Sequence, residues 1–221
     1  MPWKKKLLNG TKLYLILDRD VKGYDQLFEI LQRSVAAGVD IVQLRDKHGL
    51  AKDIVRFTTR AVKFLNGRIP FIINDRADIA AACGSAGVHV GQDDLSIAMA
   101  RKIIGPRAIV GVSCQTLAQA EQAQASGADY IGFGSVFQTL TKPGRHSMDL
   151  KLLTQAVREI RIPVFAIGGI NLDNVSELCQ LGVKRVAVCR AICEAVDVRR
   201  TTTTFKKILN QNKDVSMVLR G

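Results

Sequence analysis

Short apolar runs rich in Val and Ile recur along the chain at Leu13 to Leu17, Asp40 to Leu44, Pro70 to Ile73, Gly87 to Val90, Ala108 to Val112, Asp129 to Phe133, Pro163 to Ile167 and Arg185 to Val188. Runs of this length, apolar at successive positions, predict parallel strands covered on both faces; a strand with one wet face would alternate. The intervening stretches carry helix-forming residues, as in Ala118 to Ser126 and Ser176 to Leu181, and several end on a glycine that leads straight into the next run, at Gly38, Gly127 and Gly182. Glycine supplies the left-handed conformation that ends a helix. Alternating βα units without a break in composition predict an α/β fold, a (β/α)8 TIM barrel forming a single domain over residues 1–221, with basic extensions at 1–10 and about 212–221. An open doubly wound sheet remains compatible with alternation alone, so closure is an inference.

Composition narrows the function classes. The chain has 221 residues, 47% of them hydrophobic, enough for one barrel around one core. It lacks the run of roughly 18 apolar residues that a membrane span needs, and no apolar signal region follows Lys4, Lys5 and Lys6, which predicts a cytoplasmic protein. The five cysteines are odd in number and lack metal-ligand spacing, so neither a disulfide framework nor a zinc site is expected. A net charge of +12 fits either nucleic acid or anionic small molecules. Much of it lies in the terminal segments, at Lys4 to Lys6, Arg199, Arg200, Lys206, Lys207 and Lys213, where it reads as solvated surface. The polar run Thr201 to Thr204 reads as helix surface or a local kink.

The candidate chemistry sits at the strand ends. In an extended strand residues two apart share a face, so Gln43, Arg45 and Lys47 lie on one side of the second run, with Val42 and Leu44 on the other. If the apolar side meets helices, an amide, a guanidinium and an ammonium point to the end where barrels do chemistry, a set suited to a polyphosphate. The alternative is a surface ion pair between Arg45 and Asp46. Asn74, Asp75 and Arg76 end the third run, and Asp93 and Asp94 follow the fourth. Asp75 with Asp93 or Asp94 can supply the protein share of a Mg2+ site completed by phosphate oxygens and water; the competing role is capping of the following helices. His89 lies in an apolar strand and reads as a core histidine, and Ser113 by itself reads as a cap. After the sixth run, Thr139, Thr141 and Lys142 group hydroxyls with a cation in a segment punctuated by glycine and proline, a candidate lid. Gly168 and Gly169 end the seventh run and Cys189 and Arg190 the eighth, the corner where barrels commonly bind phosphate on backbone N–H groups.

These motifs, in this order, resemble thiamine phosphate synthase: Tyr14 to Asp18, Gln43 to Lys47, Asn74 to Arg76, His89 to Asp94, Thr139 to Lys142 and Ala166 to Ile170. The likeness extends from about Leu13 to about Ala195. It implies a Mg2+-dependent transferase that joins hydroxymethylpyrimidine diphosphate to thiazole phosphate, giving thiamine phosphate and diphosphate. Position by position, it implies that Gln43, Arg45, Lys47, Asn74 and Lys142 hold the diphosphate, that Asp75 and Asp94 bind the metal, and that Ser113 sits against the pyrimidine. Thr139, Thr141, Gly168, Gly169 and the backbone of Cys189 and Arg190 then hold the thiazole phosphate. Arg45, Lys47 and Lys142 stabilise the leaving diphosphate, Ser113 completes the catalytic set, and no protein nucleophile is required. The chain departs from the family pattern at Gln138, where proline is usual, at Gln115, where His or Thr is common, and at Cys189 and Arg190, where Val and Ser are usual.

Two other functions compete. A related thiazole tautomerase shares the barrel without joining two substrates; the Asp75 and Asp94 pair, the strand-six loop and Gln115 in place of the tautomerase histidine favour the synthase. A basic nucleic-acid-binding or regulatory barrel would use the net charge, but aromatic residues make up 5% of the chain and no nucleic-acid motif is present, so nucleic acid is not an expected partner. No membrane partner is expected either, and a homo-oligomer is compatible with the sequence, which does not set the oligomeric state.

Overall fold

The computed structural model describes residues 4, 8, 10–138 and 147–211. Strands β1 (Leu13–Asp18), β2 (Ile41–Arg45), β3 (Phe71–Asn74), β4 (Gly87–Val90), β5 (Ile109–Cys114), β6 (Tyr130–Phe133), β7 (Val164–Ile167) and β8 (Val186–Val188) fall within a residue or two of the apolar runs. They pair in parallel in sequence order, and β8 returns to β1 through Leu13 against Val186, so the barrel is closed and the open-sheet alternative is excluded.

The helices form an outer jacket: α1 (Tyr24–Ala36), α2 (Ala51–Leu65), α3 (Ala77–Ala82), α4 (Ile97–Ile104), α5 (Leu117–Ala125), α6 (Leu150–Glu159), α7 (Val175–Gln180), α8 (Arg190–Cys193) and α9 (Val198–Gln211). Three connections into strands use a left-handed glycine as anticipated, at Gly38, Gly127 and Gly182, with φ of 88°, 84° and 85°.

Strand alternation divides the apolar residues into two cores. Leu15, Val42, Leu44, Ile73 and Val88 pack outward against helix residues such as Leu27, Phe57 and Phe205. Tyr14, Ile16, Ile41, Ile72, Ile109, Tyr130, Phe165 and Ala187 face the axis and fill the barrel interior, with Leu8 packed among them. In register, Tyr14 lies beside Ile41, Ile16 beside Gln43 and Asp18 beside Arg45. Along β1 and β2 the axis-facing residues thus change from apolar to polar toward the carboxyl ends.

Three surface assignments are corrected. Lys4 is buried and donates from Nζ to the carbonyls of Pro106 and Ala108, near Asp129 Oδ2 at 3.4 Å. Lys206 pairs with Asp40 at 2.6 Å, tying α9 to the segment before β2. Thr202 is buried in an unbroken α9, donating to the carbonyl of Val198 at 2.7 Å and lying 3.5 Å from Ser34 Oγ on α1. Each residue has a partner distant in sequence or a helical turn away, which composition does not reveal. Among the described residues no helix is long and apolar enough to cross a membrane.

Phe165 has no exposed surface and stands edge-on to both Tyr14 and Tyr130, at centroid distances of 5.4 and 5.5 Å. Phe165→Ala is expected to cost about 3–5 kcal/mol of stability through lost burial and a cavity that the rigid barrel cannot close. Urea unfolding followed by circular dichroism measures the loss.

Candidate active site

A cavity of about 270 Å3 opens at the carboxyl ends of the strands. On β2, Val42 and Leu44 face the helices while Gln43 and Arg45 face the cavity, as the alternation predicts. Gln43 donates from Nε2 to the Tyr14 hydroxyl at 2.6 Å. Arg45 donates from Nη1 to Asp18 at 2.8 Å and to Asp20 at 3.0 Å. Burial works to discharge this guanidinium, but Asp18 and Asp20 outweigh it and hold the Arg45 pKa above its ordinary value. The Nε of Arg45 is buried without a hydrogen-bond partner, as is Nδ2 of Asn74 at the end of β3. Both side chains are at least nine-tenths buried and line the cavity. The alternative ion pair with Asp46 does not form: Asp46 accepts from the Tyr24 hydroxyl at 2.6 Å and from the backbone of His48 and Gly49.

At the rim, Lys47 Nζ lies 3.1 Å from Asp75 Oδ2. Asp75 adopts a left-handed conformation, φ 60°, and its backbone N–H donates to the carbonyl of His89 at 2.8 Å. Its carboxyl group lies within electrostatic reach of Asp94, whose Oδ2 accepts from Gly91 N at 2.8 Å. Burial and the neighbouring Asp94 raise the Asp75 pKa against the opposing pull of Lys47. Neither aspartate caps a helix. Arg76 holds the N-cap position of α3, and Ser96 caps α4 by accepting from Met99 N. Asp93 and Asp94 are both exposed, and of the two it is Asp94 that perturbs Asp75. Among the described residues no cluster of three or more His, Cys, Asp or Glu is placed to hold a metal, so a cation here would complete its shell from substrate and water.

Across the cavity, Gly168 and Gly169 turn the chain with φ of 105° and 63°. A Cβ at Gly168 would fall 2.1 Å from Ser135 Oγ, and one at Gly169 would fall 2.4 Å from the carbonyl of Gln138, so only glycine fits this packing. Cys189 and Arg190 line the same wall. Arg190 pairs through Nη1 with Glu194 at 2.5 Å, leaving its Nε buried and without a partner. Thr139, Thr141 and Lys142, the candidate lid, lie outside the described residues.

The remaining site residue, Ser113 on β5, is not a cap, since Thr116 caps α5. Its Oγ lies 2.9 Å from His89 Nε2. His89 is a buried, hydrogen-bonded core histidine as expected, but it also lines the cavity, together with Tyr14 and Tyr130. These three, with Asp18 and Asp20, are the residues that sequence reasoning missed. Period-two spacing offered a signal: Tyr14, Ile16 and Asp18 share the face of β1 that meets Gln43 and Arg45.

Fold and site together define a (β/α)8-barrel protein whose cavity holds unsatisfied cationic and amide donors on one side, a glycine turn with an arginine on the other, and a carboxylate pair at its rim. The chain belongs to the thiamine monophosphate synthase family, which it matches over residues 13–192. It is 41% identical over 206 residues to a thiamine-phosphate synthase of Gloeobacter violaceus, covering 92% of this chain and 59% of that protein. With a thiamine-phosphate synthase of Ruminiclostridium cellulolyticum it shares 40% identity over 198 residues, 89% of this chain and 94% of the relative. The solved thiamine phosphate pyrophosphorylase from Pyrococcus furiosus superposes with a TM-score of 0.83 at 33% identity, covering 95% of this chain and 98% of that one. This chain therefore spans about three-fifths of the Gloeobacter relative and nearly all of the other two.

Because the Asp75 pKa is raised in the fold, its protonated form is favoured there. The associated stability is fully present below the ordinary carboxylate range and is lost as pH rises through the raised value. Asp94→Asn removes the neighbouring negative charge, and the fall in melting temperature between about pH 4 and 7 is expected to shrink relative to the parent. An unaltered slope would show that the two groups do not share a proton.

Proposed function

We propose that the chain joins hydroxymethylpyrimidine diphosphate to thiazole phosphate, forming thiamine phosphate and releasing diphosphate. The observation that carries this reading is the pair of cavity-lining side chains Arg45 and Asn74, each with a buried donor, Nε and Nδ2, that has no partner in the fold. Buried donors without partners are costly, and a phosphate oxygen would satisfy them. Arg190 Nε and the Gly168–Gly169 turn offer a second anion corner on the opposite wall. Two separated anion sites fit two phosphorylated substrates better than one.

In this scheme the bond from the pyrimidine methylene to the diphosphate oxygen breaks with its electron pair leaving on the diphosphate, and the thiazole nitrogen then donates its lone pair to the methylene carbon. Gln43, Arg45, Lys47, Asn74 and Lys142 hold the diphosphate and its growing charge. Arg45 is prepositioned by Asp18 and Asp20, so little reorganisation accompanies departure. Ser113 orients the pyrimidine. Thr139, Thr141, Gly168, Gly169 and the backbone at Cys189 and Arg190 hold the thiazole phosphate, bringing the nitrogen to the carbon.

The carboxylates of Asp75 and Asp94 fit a divalent cation. They lie close enough to favour a shared proton, and a cation in that place would relieve the same repulsion. Bound there, Mg2+ would supply charge neutralisation for the leaving diphosphate. Five free cysteines suit the reducing cytoplasm. The tautomerase reading is less well supported: Gln115 stands at the position expected for the catalytic histidine, and its backbone N–H is bound to Gln119 Oε1 at 2.7 Å.

Incubating the protein with both precursors and Mg2+ is expected to yield thiamine phosphate and diphosphate by mass spectrometry. Asp94→Ala is expected to reduce the Mg2+-dependent rate by roughly 100-fold or more. No product in any condition would refute the reaction, and undiminished turnover in the variant would refute the metal assignment.

A further inference from the structure

The floor of the cavity holds a continuous chain of hydrogen bonds that crosses the barrel interior. Gln43 Nε2 donates to Tyr14 Oη at 2.6 Å, Tyr14 Oη lies 2.7 Å from Tyr130 Oη, Tyr130 Oη lies 3.0 Å from His89 Nδ1, and His89 Nε2 lies 2.9 Å from Ser113 Oγ. Distances alone leave the donor open in the last three contacts. With the Gln43 nitrogen toward Tyr14, counting protons along these contacts gives them one direction, because each hydroxyl has one proton to give and a neutral imidazole has one N–H.

Burial raises the pKa of both phenols, so each keeps its proton. Tyr14 already accepts from Gln43, and its own proton goes to Tyr130. Tyr130, accepting from Tyr14, sends its proton to His89 Nδ1. A ring nitrogen that accepts carries no hydrogen, so the imidazole proton sits on Nε2 and points at Ser113 Oγ. Ser113, accepting from His89, keeps its own proton for the cavity. The reverse polarity requires the Gln43 amide to present its oxygen to Tyr14.

We propose that His89, Tyr130, Tyr14 and Gln43 act as a one-way hydrogen-bond chain that fixes Ser113 as a donor, selecting a substrate ring nitrogen with a free lone pair. The proposal rests on the reading that Ser113 meets the pyrimidine, and it makes His89 and Tyr130 positioning residues for that contact. The surroundings hold the chain in one arrangement. Phe165 packs edge-on against both tyrosines, and a Cβ at Gly111 would fall 2.1 Å from the Tyr130 ring, so glycine there leaves the ring its place. Tyr14, Tyr130, Gln43 and His89 are all buried, so bulk water does not compete for the protons.

The test is long-range 1H–15N correlation on the full chain labelled at histidine, without ligand and above the pH at which the ring titrates. The His89 signal is assigned by its loss in His89→Gln. The expected result is hydrogen on Nε2 and a bare Nδ1. Tyr14→Phe, which removes the group that commits the Tyr130 proton to Nδ1, should weaken that preference, and Tyr130→Phe should release the ring into a mixture. In Tyr130→Phe the KM for the pyrimidine diphosphate should rise roughly tenfold, with inorganic diphosphate binding unchanged as the control for an intact fold. Hydrogen on Nδ1 in the parent protein overturns the proposal, as does a Tyr130→Phe variant that keeps either the parental tautomer or the parental KM. The expected tautomer in a protein that makes no thiamine phosphate supports the chain and refutes the reaction instead.

Discussion

In a closed parallel barrel every strand residue faces either the helical jacket or the axis, and both environments are dry along most of the strand. Polar side chains are then admitted only where the axis opens to solvent or where another polar group already waits. This constraint arranges the whole cavity. It keeps Val42 and Leu44 outward while Gln43 and Arg45 turn inward, and it pairs inward polar groups with one another, on the adjacent strand β1 for Gln43 and Arg45 and across the axis for Tyr14 and Tyr130. The axis-facing residues therefore form a graded column, apolar at Ile41 and charged at Arg45, in place of a uniform core.

Charge within the cup is managed by pairing. Asp18 is almost fully buried and would be untenable alone; its bond to Arg45 neutralises it and fixes the guanidinium in one orientation. What the pairing leaves over is chemically informative. Arg45 and Arg190 each spend one edge on protein carboxylates and keep Nε unsatisfied, so the cavity is lined by two guanidinium groups whose net charge is tempered. The rim works in the opposite sense, with two aspartates against one lysine.

The strands were legible because an apolar run flanked by glycine-ended helices is a local pattern, and so was the face shared by Gln43 and Arg45, which needs only the period of a strand. The interaction of Asp75 with Asp94 is legible as a motif and not as a distance, since the two residues end different strand connections and nothing in the spacing sets their separation. The mutual contact of Tyr14, Tyr130 and His89 is not legible in the sequence, because it spans β1, β6 and β4 across the axis, and register across a barrel is invisible before the barrel closes. Lys4 and Lys206 were misread for a related reason. A lysine near a terminus looks solvated until the carbonyls of Pro106 and Ala108, or Asp40, are found beside it.

The backbone at Asp75 restricts which side chains the position can carry. A φ of 60° is open to glycine and tolerable for asparagine and aspartate, and costs glutamate and above all β-branched residues more. Of glycine, asparagine and aspartate, aspartate alone is charged. Shape thus screens the alphabet before electrostatics acts on it, and a change that respects the backbone while losing the carboxylate would leave a well-folded barrel with a silent rim.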